Sequence, residues 1–220
     1  MNEAGQSQLE TLLERCKRAG RTALQLRPAG YDGEVVYLLT LLQNLGRLVV
    51  FYHFADEAAQ IRRLMQPAPA AREGEPEDPG MSEEAAAYAV LGADIEAIGT
   101  AVARQWGLDD TVLTMIRRLP LGLAVRTVES DDDMLRTVAS CANEAVDALG
   151  QPAPKVLAAL QRVVQRYGRM LDVDMRGLQA ALQGQPAGPI AQTMPMPLEP
   201  QPTRPGSLRD AAVTRAGALR

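Results

Sequence analysis

The sequence predicts an all-α protein, built as a compact bundle of short helices. Three observations carry this prediction. Apolar residues recur at helical spacing, side chains that cap helix amino ends stand ahead of these segments, and glycine or proline follows them. The segment LVVFY, residues 48–52, would also fit a strand, but no alternating partner strand appears elsewhere in the chain.

The first helix is expected over residues 8–19, where Ser7 and Glu10 have the spacing of a capping box and Gly20 follows as a stop. The second begins after the cap Asp32 and continues to His53. It is apolar on almost every side, so we expect it at the centre of the fold. The other helices are expected at 55–65, 83–91, 95–106, 111–119, 134–149, 155–167 and 175–182.

Prolines divide the chain into a domain and a tail. Residues 66–80 combine prolines with charges that resist burial and read as a flexible loop. Residues 185–220 contain too many prolines and too little periodicity to fold, and are expected to be a disordered tail or linker. We therefore expect one helical domain over residues 1–184.

Composition excludes several classes of function. The net charge of −4 and the pI near 5.2 argue against nucleic acid as a partner.

No apolar run is long enough to cross a bilayer and no secretory signal opens the chain, so a cytoplasmic location is expected. Cys16 and Cys141 form neither a disulfide framework nor a metal-ligand spacing and are expected to be reduced thiols. No cofactor is expected.

Two amides interrupt the apolar second helix and lead to a family resemblance. The stretch LLQNLGRLVV, followed by LGADIEAIGTAVARQWGLDD, resembles the HDOD domain, an all-helical relative of the HD phosphohydrolases found in bacterial signalling proteins. That family carries LLHDIGKL on one helix and LG-x-DH-x-x-VG-x-x-L-x-x-x-W-x-LP on a later one. Gln43 and Asn44 stand in the first His and Asp places, and Ile95 stands in the second His place. The resemblance is best over residues 35–120, the carboxy-terminal half of the family domain, and the amino-terminal half is not recognised.

The resemblance implies an HD-like fold and, in catalytic relatives, a divalent metal held by histidines and aspartates that makes water nucleophilic. Carboxamides at Gln43 and Asn44 supply neither an imidazole nitrogen nor an anionic oxygen. The only histidine, His53, is flanked by aromatic residues and reads as a packed or capping residue. Three acids at 131–133 read as a helix start, although an acidic metal site there is an alternative.

The amides themselves leave two arrangements open. If Gln43 and Asn44 are buried they need hydrogen-bond partners, for which Thr40, Arg47 and the backbone are candidates. Otherwise they lie with Arg47 on an exposed polar strip. Trp106, the only tryptophan, is expected to close the core at a helix end, with a partner-binding anchor as the alternative.

Two groups of basic residues are read as structural. The first, on the first helix, is expected to be a solvated face, with contact to a nucleotide or nucleic acid as the alternative. The second, ahead of Pro120, is expected to complement a helix carboxyl end, with phosphate binding as the alternative. These residues are Arg15, Lys17, Arg18, Arg21, Arg117 and Arg118.

The sequence therefore predicts a non-catalytic signal-transduction module, HDOD-like, that binds a protein partner or regulates an attached domain. The alternative is a metal-dependent phosphohydrolase, or a nucleotide-binding HD-type domain, with unorthodox ligands. Exposed apolar helix faces would favour a homodimer.

Overall fold

The computed structural model describes residues 3–67, 80–122, 125 and 127–184, and over these residues it contains ten helices and no strand. The all-α prediction is confirmed. The predicted tail at 185–220, and all but the ends of the predicted loop at 66–80, lie outside the described residues. The helices are α1 Glu3–Leu26, α2 Gly33–Leu42, α3 Leu45–His53, α4 Ala55–Met65, α5 Glu83–Leu91, α6 Ile95–Gln105, α7 Asp110–Met115, α8 Asp131–Leu149, α9 Ala153–Leu171 and α10 Met175–Leu182.

Most helix starts follow the capping signals in the sequence. Asp32 accepts hydrogen bonds from the backbone of Glu34 and Val35 at the start of α2, and Ser130 accepts one from the backbone of Asp133 at the start of α8. Each bond satisfies a backbone donor that has no partner within its helix. The side chains that cap α5, α6, α7 and α10 are Ser82, Asp94, Asp109 and Asp174.

The predicted stop at Gly20 is wrong, because α1 continues through it to Leu26. A methyl group at Gly20 would lie 2.5 Å from the Tyr37 ring. The missing side chain therefore lets the Tyr37 ring of α2 lie directly against the backbone of α1. This glycine serves helix packing and not helix termination.

The predicted central helix is also wrong in two respects. It divides at Gln43 and Asn44 into α2 and α3, which are bent by 45°. In addition, α2 is not enclosed, since Val35 is 45% exposed and Leu38 is 57% exposed. The centre is α8, which carries ten buried residues and packs against α1, α2, α7, α9 and α10.

Contacts group residues 1–189 into one unit, which holds every described residue. Its largest apolar cluster joins α1, α8, α9 and α10, and two smaller clusters lie around α6 and α7 and around α4 and α5. Cys16 and Cys141 are free and buried, and burial raises the pKa of both thiols.

No single helix in the described part of the chain is long and apolar enough to cross a membrane, while two bent pairs, α2 with α3 and α5 with α6, meet the length and composition requirement only when joined.

Candidate functional site

At the break between α2 and α3, the side-chain amides of Gln43 and Asn44 lie in the protein interior. The backbone amide of Asn44 bonds to the carbonyl of Leu41 at 2.9 Å, which tightens the chain for one turn before α3 begins. Gln43 is 6% exposed and Asn44 is 3% exposed. Of the two arrangements left open by the sequence, the buried one is therefore the one adopted.

A third amide, Asn143 of α8, completes this cluster. Its Nδ2 donates to Gln43 Oε1 and to the Thr40 carbonyl, both at 3.1 Å. Its Oδ1 accepts a hydrogen bond from Asn44 Nδ2 at 2.7 Å. We call Gln43, Asn44 and Asn143 the amide triad. It joins the bend between α2 and α3 to the central helix.

The remaining polar atoms of the triad are also paired. Gln43 Nε2 donates to the Met115 carbonyl at 3.1 Å and to Ser140 Oγ at 3.2 Å, and Asn44 Nδ2 donates to the Thr40 carbonyl at 3.1 Å. Asn44 Oδ1 accepts hydrogen bonds from the guanidinium groups of Arg47 and Arg118. A buried amide with all its donors and acceptors satisfied stabilises one arrangement of the chain, because any shift would leave a polar atom unpaired.

Three arginines next to the triad form ion pairs with one carboxylate, that of Asp147. Arg15 and Arg118 each donate to it at 2.7 Å and Arg47 donates at 3.1 Å. The side chains of Arg47, Arg118 and Asp147 are only 19%, 16% and 30% exposed. These charges are therefore held mostly away from water, where each depends on its partners. We call this set the Asp147 hub.

The electrostatics of the hub set the charge of Asp147. Burial alone would raise the pKa of this carboxyl, but the guanidinium groups of Arg47, Arg118 and Arg15 hold its pKa well below the usual range. Asp147 is consequently ionised in the folded protein. It provides the negative charge that lets the arginines lie beside the amides.

Arg47 also connects the hub to α5. Its Nε donates to the two carboxylate oxygens of Glu83 at 3.0 and 2.9 Å, and its Nη2 forms a further close ion pair with the same group. Burial lowers the pKa of Arg47, but Asp147 and Glu83 outweigh this and raise it. Arg47 thus joins α3, α5 and α8 while also supporting Asn44.

Ile95, which the resemblance puts in the second His place, makes no hydrogen bond to the triad through its apolar side chain. It is the first residue of α6, is 9% exposed and packs in the apolar cluster around α4 and α5. Its carbonyl lies where a side chain at Gly46 would be, and a methyl group at Gly99 would lie 2.7 Å from the Gly46 nitrogen. The backbones of α3 and α6 therefore touch at these glycines, a contact that admits no side chain.

A small, partly open space of about 10 Å³ remains beside this crossing, lined by Leu42, Gln43, Gly46, Glu96, Gly99, Thr100 and Ile116. A space of this size is about the least that can hold one water molecule. Burial raises the pKa of Glu96, which accepts a hydrogen bond from the backbone of Arg118 at 2.6 Å. Side chains thus occupy almost all of the space next to Gln43.

Two residues named from the sequence lie on the surface. Trp106 is 62% exposed at the carboxyl end of α6, so the expectation that it closes the core is wrong. His53 is exposed at the end of α3, with its ring edge-on to that of Tyr52 at 4.7 Å between centroids. Neither residue contributes to the amide triad.

Two acidic residues that could serve as metal ligands, Asp94 and Asp131, act instead as a helix cap and as a hydrogen-bond partner. Asp94 accepts from the backbone of Glu96, and Asp131 accepts from the Tyr31 hydroxyl at 2.8 Å. Over the ranges that the structure describes, no group of three or more His, Cys, Asp or Glu side chains is placed to hold a metal ion.

Sequence reasoning missed the part of the site that α8 supplies. Ser140, Asn143 and Asp147 recur at i, i+3 and i+7, which places a polar stripe on one face of a helix whose other buried residues, apart from Thr137, are apolar. This polar stripe is the sequence signal that could have identified α8 as part of the site. Arg15 and Arg118 were read only as members of basic groups, and their shared partner is distant in sequence from both.

The structure is an all-helical domain with a buried cluster of amides at the bend between α2 and α3. A model of the HDOD domain matches residues 2–119, and the chain belongs to this family. The match begins at residue 2 and so includes α1, which corrects the restriction of the resemblance to the carboxy-terminal half. Neither a curated protein nor a solved structure matches the chain.

The amide triad gives a direct stability prediction. Replacing Asn143 with leucine should lower the free energy of unfolding by about 2 to 3 kcal/mol, because Asn44 Nδ2 and Gln43 Oε1 would each lose a buried partner. Urea denaturation followed by circular dichroism measures this loss. The matched control is Gln161→Leu at an exposed amide of α9, which should change stability by less than about 0.5 kcal/mol. Equal effects of the two substitutions would contradict the role given to the triad.

Proposed function

We propose that this chain is a non-catalytic signal-transduction module, which binds a protein partner or regulates an attached domain. The observation that supports it is the mutual pairing of Gln43, Asn44 and Asn143. Their polar atoms bond to one another, to the backbone and to Arg47 and Arg118, and none of them is an anionic or imidazole ligand. A rigid helical scaffold with such an interior is suited to presenting its surface to another protein.

A metal-dependent phosphohydrolase with unorthodox ligands is the competing proposal. Elemental analysis of the purified chain, combined with manganese-supplemented assays on generic phosphodiester and phosphomonoester substrates, separates the two. We expect no stoichiometric metal and no turnover above the buffer rate.

Stoichiometric metal together with turnover that Asp94→Asn or Asp131→Asn abolishes would overturn the non-catalytic proposal. At Asp94, the cap of α6, asparagine caps about as well as aspartate, and at Asp131 its side-chain oxygen can still accept from the Tyr31 hydroxyl. In both places it lacks the anionic oxygens that hard cations require. These substitutions therefore test ligation with little effect on the helix starts.

Nucleotide binding without hydrolysis is a further alternative, which the family relationship suggests. The arginines of the hub are already engaged by Asp147, which disfavours it. Calorimetric titration with a panel of nucleotides should give no heat of binding. Heat that disappears in Asn44→Leu, in a variant that keeps its helical signal, would establish nucleotide binding at this site.

The acidic net charge supports a protein and not a nucleic acid as the partner.

A further inference from the structure

The outer face of α2 is apolar although it lies at the surface. Glu34 is the only charged residue in this helix, while Val35 is 45% exposed and Leu38 is 57% exposed. A surface helix normally turns polar residues toward water. Contiguous apolar surface of this kind marks an interaction site.

A groove lies directly beside this face, between α1 and α2. It is open to solvent, has a volume of about 320 Å³ and is lined by Leu24, Gly33, Glu34, Tyr37 and Leu38. Its shape depends on Gly20, where the absence of a side chain lets the Tyr37 ring lie against α1. The surface therefore offers both a protruding leucine, Leu38, and an apolar groove that could receive one.

Opposite charges stand on the two helices that form the groove. Arg21 lies on α1, one turn before Leu24, and Glu34 lies on α2. Neither forms an ion pair with any residue that the structure describes. Each is thus available to a partner that carries the opposite charge at a matching position.

We propose that this α1–α2 face is the interface of a homodimer. A two-fold interface uses the same patch on both copies, so the patch must carry its own complement. Here Leu38 of each copy enters the groove of the other, and Glu34 of each copy lies against Arg21 on the other copy's α1. The partner is accordingly a second copy of this chain, and the proposal holds whether or not the signalling role is correct.

Sedimentation equilibrium of the full chain over a wide range of concentrations tests the proposal. The wild-type chain should form a dimer, and Leu38→Asp should be a monomer with an unchanged helical signal, since Leu38 is largely outside the core. The matched control is Leu157→Asp, which changes a 56% exposed leucine on α9 and should leave the dimer intact. A monomeric wild-type chain, or a dimer that Leu38→Asp does not weaken, would overturn it.

A charge exchange locates the contact more closely. Glu34→Arg and Arg21→Glu should each weaken the dimer at low salt, because like charges would then face each other. The double variant should recover dimerisation. Failure of the double variant to associate more tightly than either single variant would refute the proposed pairing of α1 with α2.

Discussion

Replacing Asp147 with asparagine is expected to lower the free energy of unfolding by about 3 kcal/mol, because the guanidinium groups of Arg15, Arg47 and Arg118 would lose the carboxylate that they share. Asparagine preserves the size of the side chain, so the decrease in unfolding free energy measures the contribution of the charge and not that of packing. The contribution of one buried partner exceeds that of an exposed ion pair, which is typically below about 1 kcal/mol. Urea denaturation at neutral pH measures the difference.

The control for this substitution is Asp132→Asn on the same helix. Asp132 is exposed in the first turn of α8, where its charge interacts with the helix dipole, and its removal should cost less than about 1 kcal/mol. If Asp147→Asn were no more destabilising than Asp132→Asn, the hub would not hold the helices together.

The effect of Asp147 should also depend on pH in a defined direction. Because its pKa is lowered in the folded protein, its stabilising contribution is full above the unfolded value of about 3.9 and is lost as pH falls through the folded value. The difference in unfolding free energy between wild type and Asp147→Asn should therefore be constant near neutral pH and shrink below about pH 4. A difference that grew on acidification would contradict the assigned charge.

Replacing Gly46 with alanine should be similarly damaging, at about 3 kcal/mol, the upper end of what overpacking costs. The added methyl group would collide with the Ile95 carbonyl, and the atoms it meets are backbone atoms that no rotamer change can move. The helices α3 and α6 would have to separate, opening the apolar packing on both sides. Thermal and urea denaturation would both show the loss.

The comparison for Gly46→Ala is Gly177→Ala in α10. A methyl group at Gly177 would come no closer than 3.3 Å to a side-chain oxygen of Asp174. Alanine favours a helix over glycine by about 1 kcal/mol, so this variant should be neutral or slightly stabilised. Equal destabilisation by the two variants would contradict the close crossing of α3 and α6 as the reason for glycine at position 46.

Local sequence signals predicted most of the helices, because a helix cap is formed by residues that are close together in the sequence. Ser82, Asp94, Asp109 and Ser130 cap the helices that follow them through bonds that reach only two or three residues along the chain. The all-α class and the bounds of α4 follow from such patterns. The placement of Gln43 and Asn44 at the first His and Asp places rests on the motif alone and stays a prediction.

The rest depended on contacts between distant residues. Gly20 has the signature of a stop, and only the position of the Tyr37 ring explains why α1 continues through it. Asn44 meets Asn143 across 99 positions of sequence, and no local pattern pairs them. The exposure of Trp106 is likewise decided by which helices surround the end of α6.

The contacts that α8 makes with the earlier helices bear on where this domain ends. The family match stops at residue 119, yet Ser140, Asn143 and Asp147 all lie beyond it. A polypeptide ended at that boundary would leave Arg15 and Arg118 without the Asp147 carboxylate, and would leave Gln43 and Asn44 without their bonds to α8. Expression of the matched segment, residues 2–119, by itself is therefore a poor route to a folded sample, and α8 should be treated as part of the same cooperative unit.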